Sequence, residues 1–131
     1  MPVAIDTSIL VEAERLGTIA ALLPENEEGP FYVPAHAAAE FLVGTHPPVR
    51  DDLRYRAQLI YQGEFQNMVA AFTEVDAAEL GRLLAELKRT GQQMKWFDAG
   101  IAAGVLARGD TLMTADSDFD RLANRMTLLR L

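Results

Sequence analysis

The chain has 131 residues, half of them apolar and 24% charged, the size and composition of one globular domain and not of a disordered tail. Nineteen acidic against 12 basic residues leave a net charge of -7, which excludes holding nucleic acid by bulk positive charge. The absence of cysteine excludes disulfides, thiolate metal sites and cysteine nucleophiles. No apolar run reaches the ~18 residues of a membrane span, and no basic signal-peptide start is present, so residues 1–131 read as one cytoplasmic domain without membrane contact.

In chain order, Val3-Ala4-Ile5 is an apolar run ending at Asp6, and Thr7 and Ser8 open the periodic segment Ile9 to Glu14. That order predicts a strand entering a helix through an N-cap. Gly17 breaks the helix; a second short helix is expected over Ile19 to Leu23, stopped by Pro24, and Glu25 to Pro30 form an acidic loop. Phe31-Tyr32-Val33 reads as a second strand, with Pro34 in the first turn of a helix from Ala35 to Val43 that Gly44, Pro47 and Pro48 close. Val49 to Phe65 is a long helical stretch whose Leu53, Leu59, Ile60 and Phe65 serve the core or a partner surface, and Met68 to Phe72 is a third strand. Asp76 is placed as the cap of a helix to about Thr90, stopped by Gly91. Phe97 to Ala107 is helical, Thr111 to Thr114 a fourth strand, a helical turn follows Asp118, and Met126 to Leu129 form a last strand. Strands alternating with crossover segments predict an α/β fold: three layers, α/β/α, around a mainly parallel central sheet of four to five strands.

In such sheets reactive groups gather where strands end and helices begin. Asp6 follows the first strand, Asp116 follows the fourth, and Asp98 opens the Phe97 to Ala107 helix, while Glu40 sits in an alanine-rich helix among Ala37, Ala38, Ala39, Phe41 and Leu42. Taken singly, each Asp is read first as an N-cap, and Glu40 as a solvated residue on the polar edge of its helix. Taken as a set, four acids from four elements are expected near one end of one sheet. Two carboxylates ~5 Å apart repel by roughly 3 kcal/mol at an effective dielectric near 20, so a convergent cluster needs protonation or a cation. Hard oxygen donors without sulfur select Mg2+ or Mn2+, and the chemistry that suits such a centre is phosphodiester hydrolysis.

The segments Ile5-Asp6-Thr7-Ser8-Ile9-Leu10, Ala39-Glu40-Phe41, Phe97-Asp98-Ala99-Gly100-Ile101-Ala102-Ala103 and Leu112-Met113-Thr114-Ala115-Asp116-Ser117-Asp118-Phe119 resemble, in order and nearly end to end, the PIN-domain ribonucleases. They look most like the VapC-type toxins of bacterial toxin–antitoxin pairs. The resemblance implies a PIN-like fold and a metal-binding acidic tetrad of Asp6, Glu40, Asp98 and Asp116, with Thr7 and Thr114 orienting ligands or water through their hydroxyls. It implies Mg2+- or Mn2+-dependent endonucleolytic cleavage of RNA, homodimerisation, and inhibition by a cognate antitoxin that inserts a segment beside the acids. Asp118, and after it Asp120, is read equally as an added metal ligand or as a loop acid capping the turn before Phe119. Ser8 is read as an N-cap hydroxyl.

Two divalent ions would bring the formal charge from -7 to -3. The basic residues fall in three groups, Arg82, Lys88, Arg89 and Lys95; Arg121, Arg125 and Arg130; and Arg50, Arg54 and Arg56 near Tyr55 and Tyr61. Each reads first as a solvated face with local pairing and second as a phosphate contact. His36 and His46 lack ligand spacing and suit surface or helix-end positions; Gly100 and Gly104 suit close helix packing, and Trp96 a core or dimer-interface position. An aspartate-nucleophile phosphotransferase would need an acid where Ser8 stands, and a receiver domain would need paired acids where Asp6 stands alone. The remaining rival is a catalytically inactive PIN-like module that only binds a protein or RNA.

Overall fold

Val3, Ala4 and Ile5 have no polar side chain to expose, and all three are buried. They form the middle strand of the sheet in a computed structural model that describes residues 1–131. The strands are β1 (Val3–Ile5), β2 (Phe31–Pro34), β3 (Val69–Ala70), β4 (Thr111–Thr114) and β5 (Thr127–Arg130), in the order β3-β2-β1-β4-β5. All five are parallel, one step beyond the mainly parallel sheet expected. The register Ala4↔Leu112 and Ile5↔Met113 aligns the ends of β1 and β4. Because the chain winds outward in opposite directions from these two strands, a crevice opens beyond their carboxyl ends.

The helices are α1 (Thr7–Leu16), α2 (Ala35–Leu42), α3 (Asp51–Ile60), α4 (Glu74–Arg89) and α5 (Trp96–Arg108). Burial of every residue of β1 and β4 requires helices on both faces, which completes the three-layer α/β/α arrangement. The core joins Val3, Ile5, Val33, Leu112 and Met113 of the sheet to Ile9 and Leu10 of α1, Leu83 of α4 and Ile101 of α5. Each such side chain contributes roughly 1.5–3 kcal/mol by burial. Helix α5 is buried from Asp98 to Val105, and its small residues permit this. At Gly100 an added Cβ would lie 2.5 Å from the His36 ring, so α2 and α5 cross with no room for a methyl group.

Several local expectations are corrected. Ile19 to Leu23 form a turn, with Leu22 N–H donating to Ile19 O at 2.9 Å. A segment fenced by Gly17 and Pro24 is too short to propagate a helix, and the Glu64 carboxylate takes the Thr18 hydroxyl and the Ile19 N–H, each at 3.0 Å. Pro34 ends β2 and α2 starts after it. Since β2 stops there, β3 has a partner only over Val69–Ala70 and is shorter than Met68 to Phe72. The long helix is α3 followed by a wide turn, Tyr61–Phe65; Ile60 and Phe65 join the core while Leu59 is exposed. Thr73, not Asp76, caps α4, and Asp76 returns the bond from the third helical position. No helix is long and apolar enough to cross a membrane.

Candidate active site

The site begins where β1 gives way to α1. Asp6 caps α1 in extended conformation, and its Oδ2 accepts from the Ser8 hydroxyl at 2.7 Å, the Thr114 hydroxyl at 2.8 Å and the Ser8 N–H at 3.4 Å. Ser8 Oγ accepts the Ala115 N–H at 3.0 Å, Thr114 Oγ1 accepts the Asp116 N–H at 2.9 Å, and Asp116 Oδ1 accepts the Asp118 N–H at 2.9 Å. This chain of bonds fastens the start of α1 to the loop after β4. Asp6 is therefore both the helix cap and a member of the site. Ser8, expected as the N-cap hydroxyl, lies inside the first turn and does not cap; its hydroxyl instead ties Asp6 to the second acidic loop. Its signal in the sequence was the two-residue spacing from Asp6 that lets a hydroxyl turn back onto a carboxylate.

Asp98 lies in the first turn of α5, where the helix dipole favours negative charge. Glu40 is one turn beyond His36 on α2, so the close crossing at Gly100 brings it to the same place. Asp6, Glu40, Asp98 and Asp116 all line one cavity of about 330 Å³, together with Thr7, Ser8, Val11 and Lys95. The four acids named from the sequence thus converge. Asp6 and Asp98 are buried, 2% and 5% exposed, whereas Glu40 and Asp116 are half-buried.

Burial, and then the charges of Asp6, Asp116 and Glu40, push the Asp98 carboxyl up to about 6, against the opposing pull of Lys95. Burial also raises Asp6, while the Ser8 and Thr114 hydrogen bonds favour its charged form. The tightest group of carboxylates is a different subset. Oxygens of Asp98, Asp116 and Asp118 lie within 4.8 Å of one another. Asp118 thus stands at ligand spacing, although it is not among the charges lifting Asp98. Asp120 instead pairs with Arg130.

Thr114 holds Asp6, but the Thr7 hydroxyl is buried without a hydrogen-bond partner. Lys95, which the sequence placed only in a basic group, occupies the N-cap position of α5 without a side-chain capping bond, three residues before Asp98, and its charge faces the acids. Trp96 is 74% exposed and is not core. It stands two positions before Asp98, about 200° around the helix, so burying one turns the other outward. A mainly apolar groove of about 450 Å³, lined by Val11, Phe41, Val43, Val49 and Leu53, runs into the acidic cavity through shared Thr7, Val11 and Glu40.

Among proteins of curated function, none is significantly similar in sequence. The fold, however, is shared. The chain is similar to VapBC2 from Rickettsia felis bound to a promoter DNA fragment, with TM-score 0.80 and 19% identity over 100% of this chain and 99% of that one. DNA-bound VapBC from Salmonella typhimurium gives TM-score 0.82 and 16% identity over 99% and 98% of the two chains. VapBC-5 from Mycobacterium tuberculosis, a member of the VapBC family of toxin–antitoxin systems, gives 0.73 and 20% over 100% and 98%. The family model of the PIN domain matches residues 3–125, and with that match the chain belongs to the PIN domain family.

Proposed function

We propose that this PIN domain is a metal-dependent endoribonuclease and the VapC-type toxin of a toxin–antitoxin pair. One observation carries the reading: four acids share a cavity in which Asp98 is held at about 6 by burial and by the other three. An arrangement with that much uncompensated negative charge is tolerable with a cation in place. The donors fit a hard dication, since the cavity and its rim offer carboxylate oxygens and neither sulfur nor imidazole. Asp6, Glu40, Asp98 and Asp116, with Asp118 at ligand spacing from Asp98 and Asp116, would hold Mg2+ or Mn2+. When bound, such an ion supplies water of lowered pKa and positive charge against the phosphoryl oxygens.

The chain's own residues then have separate tasks. Thr114 and Ser8 fix one Asp6 oxygen, so that this carboxylate keeps its direction as charge changes around it. The Asp116–Asp118 bond holds the second acidic loop in one conformation. Lys95 offers a phosphate the positive charge that the acids would otherwise repel.

The antitoxin is the partner proposed for the apolar groove, because an inserted segment there would end against Glu40 and the acids. Similarity to solved VapBC complexes supports that choice, and homodimerisation is proposed with it. The decisive experiment maps cleavage ends in total cellular RNA with Mg2+ or Mn2+, comparing wild type with Asp98→Asn. New ends in the wild-type sample alone are expected. Identical end profiles would overturn the ribonuclease reading and favour an inactive binding module.

A further inference from the structure

Of the 12 lysines and arginines, eight arginines are tied into ion pairs, three of them with acids three residues away on their own helix. Those left without an acid are Lys88, Arg89, Lys95 and Arg121, all exposed. Lys95 lines the acidic cavity. Arg121 donates to Asp118 O at 3.2 Å and to Gln93 O, which sets its guanidinium between the loop after β4 and the loop before α5. Lys88 lines a second groove, of about 470 Å³, with Leu84, Met94 and Trp96, and Arg89 follows it in the last turn of α4. Positive charge not held in an ion pair therefore runs from the rim of the acidic cavity, over the loop before α5, to the end of α4. In a chain of net charge -7 that concentration stands out, and the exposed indole of Trp96 lies along it.

We infer that the rim formed by Lys88, Lys95, Trp96 and Arg121 is the track for a single-stranded segment of the RNA substrate, with one base stacked on Trp96. The inference rests on the ribonuclease reading above. Phosphates meet the cations and the ring meets a base face, a combination that needs no particular sequence. A duplex fits less well, because its bases are already stacked on one another. A second copy of the chain also fits less well: a two-fold contact centred on Trp96 would set the cations of one copy against the same cations of the other.

Trp96 is the chain's only tryptophan, so its emission reports this surface alone. The Asp98→Asn protein is titrated with a short, end-labelled, unstructured oligoribonucleotide and with the same sequence as a duplex. Emission is expected to fall with the single strand at the midpoint given by the label's anisotropy, and to stay unchanged with the duplex. In the wild-type cleavage assay Trp96→Ala raises KM about tenfold with kcat unchanged, the scale of one lost base–ring stack, and Trp96→Phe restores most of it. Lys88→Gln and Lys95→Gln each flatten the log–log salt dependence of binding by about 0.7.

Flat emission during saturable binding overturns the track and leaves the ribonuclease reading standing. Equal quenching by the duplex overturns the stacking. Absence of cleavage by the wild-type protein removes the ribonuclease reading and the track with it. A Trp96→Ala protein that falls from dimer to monomer in sedimentation, with KM unchanged, gives the face to a second copy and overturns the track.

Discussion

Asp76 and Asp98 occupy the third position of two helices packed against each other, and both are buried, 1% and 5% exposed. Asp76 accepts the Thr73 N–H at 2.8 Å and an Arg108 N–H at 2.9 Å, and Arg108 also donates to Ala71 O and Gly104 O. Asp98 has Lys95 as its one opposing charge and three carboxylates around it. The same residue at the same helix position is matched in one case and left in surplus in the other. A buried charge with its partners present is part of the scaffold. A buried charge surrounded by like charge is maintained against stability, and it is on this contrast that the proposed cation and substrate site rests.

The sharpest way to break this comparison is to neutralise each member. Asp98→Asn should lower the rate of RNA cleavage by roughly 10²–10³-fold, the scale of removing one preorganised electrostatic group, with the melting temperature of the metal-free protein at neutral pH raised, not lowered. Full activity in that variant would remove Asp98 from the site. Next in size is the response to metal: Mg2+ or Mn2+ at about 100 times its Kd should raise Tm by roughly 10 °C. Asp6→Asn should abolish most of that rise, and a wild-type Tm that ignores millimolar metal would dissolve the proposed centre.

Asp76→Ala should do the opposite of Asp98→Asn. It leaves Arg108 without its acid and Thr73 without its reciprocal bond, at a cost of about 2–3 kcal/mol of stability, while cleavage per folded molecule stays unchanged. Denaturant unfolding measures it. The smallest effect concerns pH in metal-free protein. Asp98 rises from 3.8 to about 6 on folding, and Asp6 moves in the same direction, so the folded chain binds more protons than the unfolded one in that window. The stability from these groups is present below about pH 4 and is lost as pH rises through about 6. Thermal melts should show this fall, and Asp98→Asn should flatten it.

Much of this was legible in the chain order. The strands follow from apolar runs bounded by turn residues, and Gly17 and Gly109 end α1 and α5 in the left-handed conformation that glycine adopts freely. The acids at strand ends pointed to the site because parallel α/β topology collects those ends on one side. Less legible was the contribution of the intervening residues. Ser8 and Lys95 gained their places from neighbours distant in sequence, Ser8 from Thr114 and Ala115, Lys95 from the acids beside Asp98. Trp96 by residue type suits the core or a dimer interface, yet it shares a helical turn with Asp98, only one of the two can face inward, and the core half of that reading fails.

The sequence by itself determined most of the local elements, the α/β class and which acids were candidates, because periodicity, caps and turn chemistry act over a few residues. Tertiary structure alone decided which carboxylates have partners and which are left facing one another. That outcome depends on distances between elements far apart in the chain, set here by the alignment of β1 with β4 and by the crossing of α2 over Gly100. Electrostatic energy falls with separation in space, and separation along the chain does not measure it.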